Sequence, residues 1–216
     1  MNEEYKTTTN SNCCSSPHLQ PYKLTYKWRP DPSLSLDENY MDIVMLLTRS
    51  ANFRQGSMGC VIVKSTVMSE SRTSDNIFFE AIIAASTNQS LFQENDSDVH
   101  AEIATLGSCL RNGNSTRGCT IYITMPPCKR CFGALCMAGI SRIVTGREYT
   151  EDIVNVARER GIDLVTMGHD FVKQQKDRIG IFLSSRHCDA DDVCSVEHRR
   201  LLRKEERRSK KKVKII

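Results

Sequence analysis

The sequence predicts an α/β body, a mixed sheet sandwiched by helices, and three observations lead there. Apolar residues recur at helical spacing in an early segment. Runs of strand length rich in Val, Ile and Phe follow it. The second half then alternates strand, helix and strand at the spacing of a parallel crossover.

Residues 1–36 are dominated by Ser, Thr, Asn and Pro without periodicity, and read as a flexible N-terminal arm. Within it, Trp28-Arg29-Pro30-Asp31-Pro32 offers a local docking point through the only Trp of the chain. From Asp37, a reasonable helix cap, Tyr40, Ile43, Val44, Leu47 and Ala51 form one apolar stripe. Met58–Val67 and Ile77–Thr87 are β-like, with a polar turn between them, and read as a hairpin. A polar loop, Asn88 to Val99, leads to a helix from about His100 to Arg111, stopped by Asn112-Gly113. Cys119–Met125 is the third strand, and Pro126-Pro127 forces an extended exit from it. A helix from about Cys128 to Ala138 stops at Gly139. Arg142–Gly146 reads as a strand, Glu151–Arg160 as a helix, Asp163–Met167 as a fifth strand and Asp170–Ser184 as a final helix. This divides the chain into the arm, a body over 37–185 and a tail over 186–216.

The 216 residues suffice for one domain with extensions. A mean hydropathy of −0.40 and 26% charged residues fit a soluble protein. No apolar run approaches the ~20 residues of a membrane span. The polar Met1–Ser16 stretch has neither the apolar centre of a signal peptide nor an Arg-rich transit pattern, so the expected location is cytoplasmic or nuclear, with no membrane partner. The net charge of +4 is uneven: Glu197–Ile216 holds ten Lys/Arg and three Glu, a basic tail on a mildly acidic body. The ten cysteines in 216 residues are too sparse for a disulfide scaffold. Cys60, Cys109, Cys119 and Cys136 read as packing residues.

His100-Ala101-Glu102 opens one predicted helix and Pro127-Cys128-Lys129-Arg130-Cys131 opens the next, with twenty-four residues between Glu102 and Pro127. Both openings follow β-rich segments, so both helix N-termini point at one edge of the sheet. Cys128 and Cys131 across a first helical turn reach one ion, and a neutral His100 makes a third ligand. Catalytic zinc commonly has three protein ligands and an open position. Helix N-termini favour thiolate over thiol. Glu102, two residues beyond the His, stands ready to move protons without binding the metal.

The H-x-E…P-C-x-x-C pattern and its strand–helix setting resemble the cytidine/deoxycytidylate deaminase superfamily over about Asp37 to Met167. The resemblance implies a three-layer α/β/α sandwich around a five-stranded mixed sheet. The Glu151–Arg160 helix between the last two strands implies the subclass in which these strands are parallel. It further implies one catalytic Zn2+, hydrolytic loss of an exocyclic amine from a nucleobase, a homo- or hetero-oligomer, and substrate contacts at Asn88, Ala101 and Pro127. A plain turn Asn is the alternative at Asn88.

The substrate is left open between two branches. Cys119–Cys128 and the Glu151–Met167 end look like the CMP/dCMP type, which points to cytosine in a nucleoside or nucleotide. Ala104 and Ala85-Ser86-Thr87-Asn88 depart from that branch, which usually has an Asn two residues after the Glu and a G-Y-N-G segment. His100–Leu106, H-A-E-I-A-T-L, is also compatible with transfer-RNA adenosine deaminases. The basic tail would grip RNA by counterion release, or serve as a solvated or nuclear-import segment. A non-catalytic zinc-containing module that binds nucleic acid is the reading from another class. His187, Cys188, Cys194 and His198 form a second cluster of ligand-type residues whose spacing matches no zinc pattern well.

Overall fold

The computed structural model describes residues 28–50, 57–65, 75–92 and 96–185. The expectations for 1–27, for Ala51, for the His187–His198 cluster and for the basic tail lie outside the described residues. Among the described residues, eleven elements run in chain order: α1 (Leu36–Ser50), β1 (Gly59–Val63), α2 (Asp75–Glu80), β2 (Ile82–Thr87), α3 (Ala101–Arg111), β3 (Thr120–Ile123), α4 (Lys129–Met137), β4 (Arg142–Thr145), α5 (Glu151–Arg160), β5 (Asp163–Thr166) and α6 (Gly168–Ser184). The strands form one five-stranded sheet in the order β2-β1-β3-β4-β5. β1 is antiparallel to both β2 and β3, whereas β3, β4 and β5 are mutually parallel.

The period-2 alternation of the strands sorts the core into two layers. Val61, Val63, Tyr122 and Val144 face one side, where α1 supplies Tyr40, Ile43, Val44 and Leu47 and α6 supplies Phe171 and Ile179. Cys60, Ile62, Ile121, Ile123 and Ile143 face the other, where they meet Ala101 and Cys109 of α3, Phe132 and Leu135 of α4, and Ile153 and Ala157 of α5. The result is the expected α/β/α sandwich. Cys60, Cys109 and Cys119 are buried in it and Cys136 packs at its margin. Among the described residues no helix is long and apolar enough to cross a membrane.

Two local expectations are corrected. Ile77–Thr87 is not one strand: a six-residue helix, α2, precedes β2. Short apolar runs do not declare their period, and here tertiary contacts decide. Phe78 stacks on Tyr40 with ring centroids 4.2 Å apart, and Trp28 packs tilted against it at 6.2 Å. Tyr40 closes the arrangement by donating its hydroxyl to the Phe78 carbonyl at 3.1 Å. The second correction concerns Asp37, which does not cap α1. Ser35 does, in a reciprocal capping box: Ser35 N–H donates to Glu38 Oε2 at 2.8 Å and Glu38 N–H to Ser35 Oγ at 3.3 Å.

The Asp37 carboxylate instead crosses to the sheet. It accepts two hydrogen bonds of 2.8 Å from the Arg142 guanidinium and one of 2.8 Å from the Tyr122 hydroxyl. Arg142 also donates to Asp163 at 2.9 Å, so one guanidinium ties α1 to the starts of β4 and β5. Burial pushes the Asp37 carboxyl up, but Arg142 and Tyr122 together outweigh it and hold the group below its ordinary value. A lowered carboxyl contributes stability that is present above the ordinary carboxylate range and is lost as pH falls through the lower folded value. Asp37→Asn should therefore cost about 2 kcal/mol in urea unfolding at neutral pH. The gap from the unmodified protein should close on acidification below the carboxylate range.

Candidate functional site

Both β2 and β3 run toward the same edge of the sheet, because β1 lies reversed between them. Each strand hands over to a helix that starts at that edge, and the residue at each handover is a ligand-type side chain. His100 is the N-cap of α3, extended at φ −66° and ψ 152°. Cys128 is the N-cap of α4, extended at φ −67° and ψ 163°. Neither side chain caps its own helix. They turn toward each other instead: His100 Nδ1 lies 3.8 Å from Cys128 Sγ and 3.4 Å from Cys131 Sγ.

All three donor atoms lie within 4.8 Å of one another. One tetrahedral ion with Zn–N and Zn–S bonds of about 2.0 and 2.3 Å sets N···S separations of about 3.5 Å. The observed pair of distances brackets that value, and one nitrogen with two sulfurs is a donor set that zinc accepts. His100, Cys128 and Cys131 can thus hold one metal ion, at two helix N-termini whose dipoles stabilise the thiolates. The ligands are unequal: His100 and Cys128 are exposed, whereas Cys131 is buried to 3%.

Glu102 stands in the first turn of α3, 5% exposed. Burial, the charge of Glu102 and the neighbouring Cys128 push the Cys131 thiol well up. Cys60, first read only as packing, is the floor of this corner. It is fully buried on β1, and burial together with the charge of Glu102 raises its thiol, opposed by Thr105.

Asn88 is 1% exposed and directed by two bonds: its Oδ1 accepts from Met58 N–H at 3.0 Å and its Nδ2 donates to Ser97 Oγ at 2.8 Å. Gln89 and Val99 form an isolated antiparallel bridge, which sets Asn88 opposite His100. Ala101 is fully buried at the start of α3, and Pro127 is buried just before Cys128. Ser97, which fixes the Asn88 amide, carried no signal in a polar loop without periodicity.

The family model of the cytidine and deoxycytidylate deaminase zinc-binding region matches residues 34–147. The chain belongs to this deaminase family. The matched residues include His100, Cys128 and Cys131, the three that the fold draws together. Among relatives, the chain is 39% identical over 77 residues to a tRNA-specific adenosine deaminase of Buchnera aphidicola subsp. Schizaphis graminum, covering 35% of this chain and 50% of that protein. It is 31% identical over 71 residues to a deoxycytidylate deaminase of Enterobacteria phage T2, covering 32% of this chain and 38% of the relative. The chain spans half or less of the length of these two curated relatives. The solved dCMP deaminase of cyanophage S-TIM5 aligns with a TM-score of 0.49 at 23% identity, over 61% of this chain and 97% of that one.

His100→Ala and Cys131→Ala should each bind one zinc ion fewer per chain than the unmodified protein, measured by elemental mass spectrometry on folded material.

Proposed function

We propose that the protein is a zinc-dependent hydrolytic deaminase that replaces the exocyclic amine of a nucleobase by a carbonyl oxygen and releases ammonia. Cytosine in a nucleoside or nucleotide is the substrate class. The observation that carries this reading is the convergence of His100, Cys128 and Cys131 at two helix N-termini with the buried Glu102 beside them. A donor cluster alone would serve a structural metal as well. A carboxylate buried next to it, and not counted among the donors, is costly to keep without a task.

When bound there, zinc supplies Lewis-acid chemistry that makes water nucleophilic near neutral pH. The protein's own residues do the rest. Glu102 would take one proton from the attacking water and hand it to the ring nitrogen, then take the second from the added hydroxyl and hand it to the amine, which leaves as ammonia as the carbonyl forms. Ala101 and Pro127, both buried beside ligand residues, wall the base. Asn88, held in register with His100, reaches the sugar.

A second reading, removal of the amine from adenosine in transfer RNA, is favoured by the likeness to the Buchnera tRNA-specific adenosine deaminase. Mass spectrometry of reactions with cytidine, deoxycytidine, CMP, dCMP and unmodified transfer RNA separates the two. Uracil products from small cytosine compounds carry the first reading, and inosine in transfer RNA carries the second.

Glu102→Gln should retain its zinc and lose turnover by about 10²–10⁴-fold, the usual worth of a positioned acid–base group. A Gln variant of full activity would remove Glu102 from the mechanism. Asn88→Ala should raise KM with the zinc content unchanged.

A further inference from the structure

At the start of β1 the regular ladder runs out and side chains take over from it. Gly59 pairs with Thr87 of β2, and Cys60 pairs with Ile123 of β3. One step further, Met58 comes opposite Asn88 and Gly59 opposite Thr124, each just past the end of its strand. Both supply a bond through the side chain. Asn88 Oδ1 accepts from Met58 N–H at 3.0 Å on the β2 side, and Thr124 Oγ1 accepts from Gly59 N–H at 2.8 Å on the β3 side. Successive N–H groups of a strand point to opposite neighbours, so the start of β1 is gripped from both flanks.

The Thr124 hydroxyl is held in turn. Its own N–H donates to the Gly59 carbonyl at 3.1 Å, which fixes the backbone beside it. For the hydroxyl proton, Thr48 Oγ1 of α1 and the Gly59 carbonyl both lie at 3.2 Å. Thr48, 7% exposed, gives its proton to the Val44 carbonyl at 2.7 Å, so between the two hydroxyls Thr124 donates and Thr48 accepts. Only glycine fits at position 59: a Cβ there would lie 2.5 Å from the Val44 carbonyl oxygen and 3.0 Å from Thr48 Oγ1. Helix α1 thus rests directly on the start of β1, and a chain of hydrogen bonds runs from Gly59 N–H through Thr124 and Thr48 to Val44.

The amide of Asn88 has two chemically different ends, and this clamp decides which end faces which way. Oδ1 is taken by Met58 N–H, and Nδ2 donates to Ser97 Oγ at 2.8 Å. An amide turned over would set its NH₂ against the Met58 N–H, donor against donor. The polarity of Asn88 therefore follows the place of the Met58 N–H, and that follows the hold of Thr124 on the next peptide. We infer that Thr124 is a positioning residue for substrate binding: through Gly59 and Met58 it fixes the direction in which Asn88 presents its amide. Contact with substrate stays with Asn88. This rests on the deaminase reading above, in which Asn88 meets the sugar, and adds a hydroxyl whose other anchor, Thr48, belongs to the opposite layer of the sandwich.

The test is a double-mutant cycle on the zinc-loaded full chain, with whichever of cytidine, deoxycytidine, CMP, dCMP or unmodified transfer RNA it deaminates. Thr124→Val keeps the shape of the side chain and removes the hydroxyl. It should raise KM about three- to ten-fold, the worth of one hydrogen bond, with kcat and zinc content little changed. Thr124→Ser keeps the hydroxyl and should restore KM. In an Asn88→Ala background, Thr124→Val should raise KM no further, because its effect passes through Asn88. If Thr124→Val does not fold, Thr48→Val takes its place in the cycle. A second readout needs no turnover. The side-chain amide resonances of Asn88 in nitrogen-15 NMR, assigned by their loss in Asn88→Ala, should move in Thr124→Val and return in Thr124→Ser. An unchanged KM, or a rise of the same size with and without Asn88, overturns the inference, as does an Asn88 amide signal indifferent to Thr124. If the unmodified protein deaminates none of these substrates while the Asn88 signal follows Thr124, the deaminase reading falls and the orientation of Asn88 by Thr124 stands.

Discussion

The site depends on a constraint of chain direction. β2 and β3 point the same way with β1 reversed between them, so both strands deliver the chain to one edge of the sheet. Their following helices begin there, on the same face. Two N-caps, which elsewhere would satisfy their own helices, become available to bind something else. Between them lies the start of β1, where Cys60 is fully buried. A ligand triad from positions 100, 128 and 131 needs no special loop under these conditions. It needs only that the two helix starts remain side by side, which the β2-β1-β3 pairing enforces.

The opposite layer is held by two carboxylate–guanidinium pairs that behave differently. Asp37 receives Arg142 and Tyr122, and its charge is favoured on balance. Asp42 on α1 receives a two-pronged bond from Arg178 of α6, at 2.7 and 2.9 Å, yet burial still raises its carboxyl above the ordinary value. The partners disagree because burial is unequal: the Asp42 side chain is 1% exposed and that of Arg178 27%. Arg178 stays firmly charged while the carboxylate bears the desolvation. The second pair thus sets where α6 docks on α1 more than it adds stability, since the solvation lost by Asp42 cancels much of the attraction.

The convergence of His100, Cys128 and Cys131, and the place of Glu102 in the helical turn after His100, were legible in the sequence because residue identities and spacing are rigid there. His-x-Glu and Cys-x-x-Cys mean something only at helix starts, and the Asn112-Gly113 and Pro126-Pro127 punctuation marked where those starts had to be. The five strands were legible because each is short and apolar between clear breaks. What escaped was decided by partners distant in sequence. The α2 segment reads Asp-Asn-Ile-Phe-Phe-Glu, as good a strand as a helix, until Tyr40 and Trp28 claim Phe78. Asp37 looked like a cap because local sequence does not reveal Arg142, 105 residues away. The Asn88–Ser97 bond escaped for the same reason at shorter range, since a polar loop has no period to read.

The unequal exposure of the ligands bears on how a metal ion enters and leaves. Cys128 and His100 face solvent while Cys131, in the first turn of α4, is buried. With an ion held there, a chelator or a competing thiol would meet Cys128 and His100 first, and Cys131 would keep the last bond. Exchange would be a stepwise unzipping from the outside, with the buried sulfur as anchor. An oxidant takes the same path: the outer thiol is the one it can reach, and a metal already seated on that sulfur is its protection.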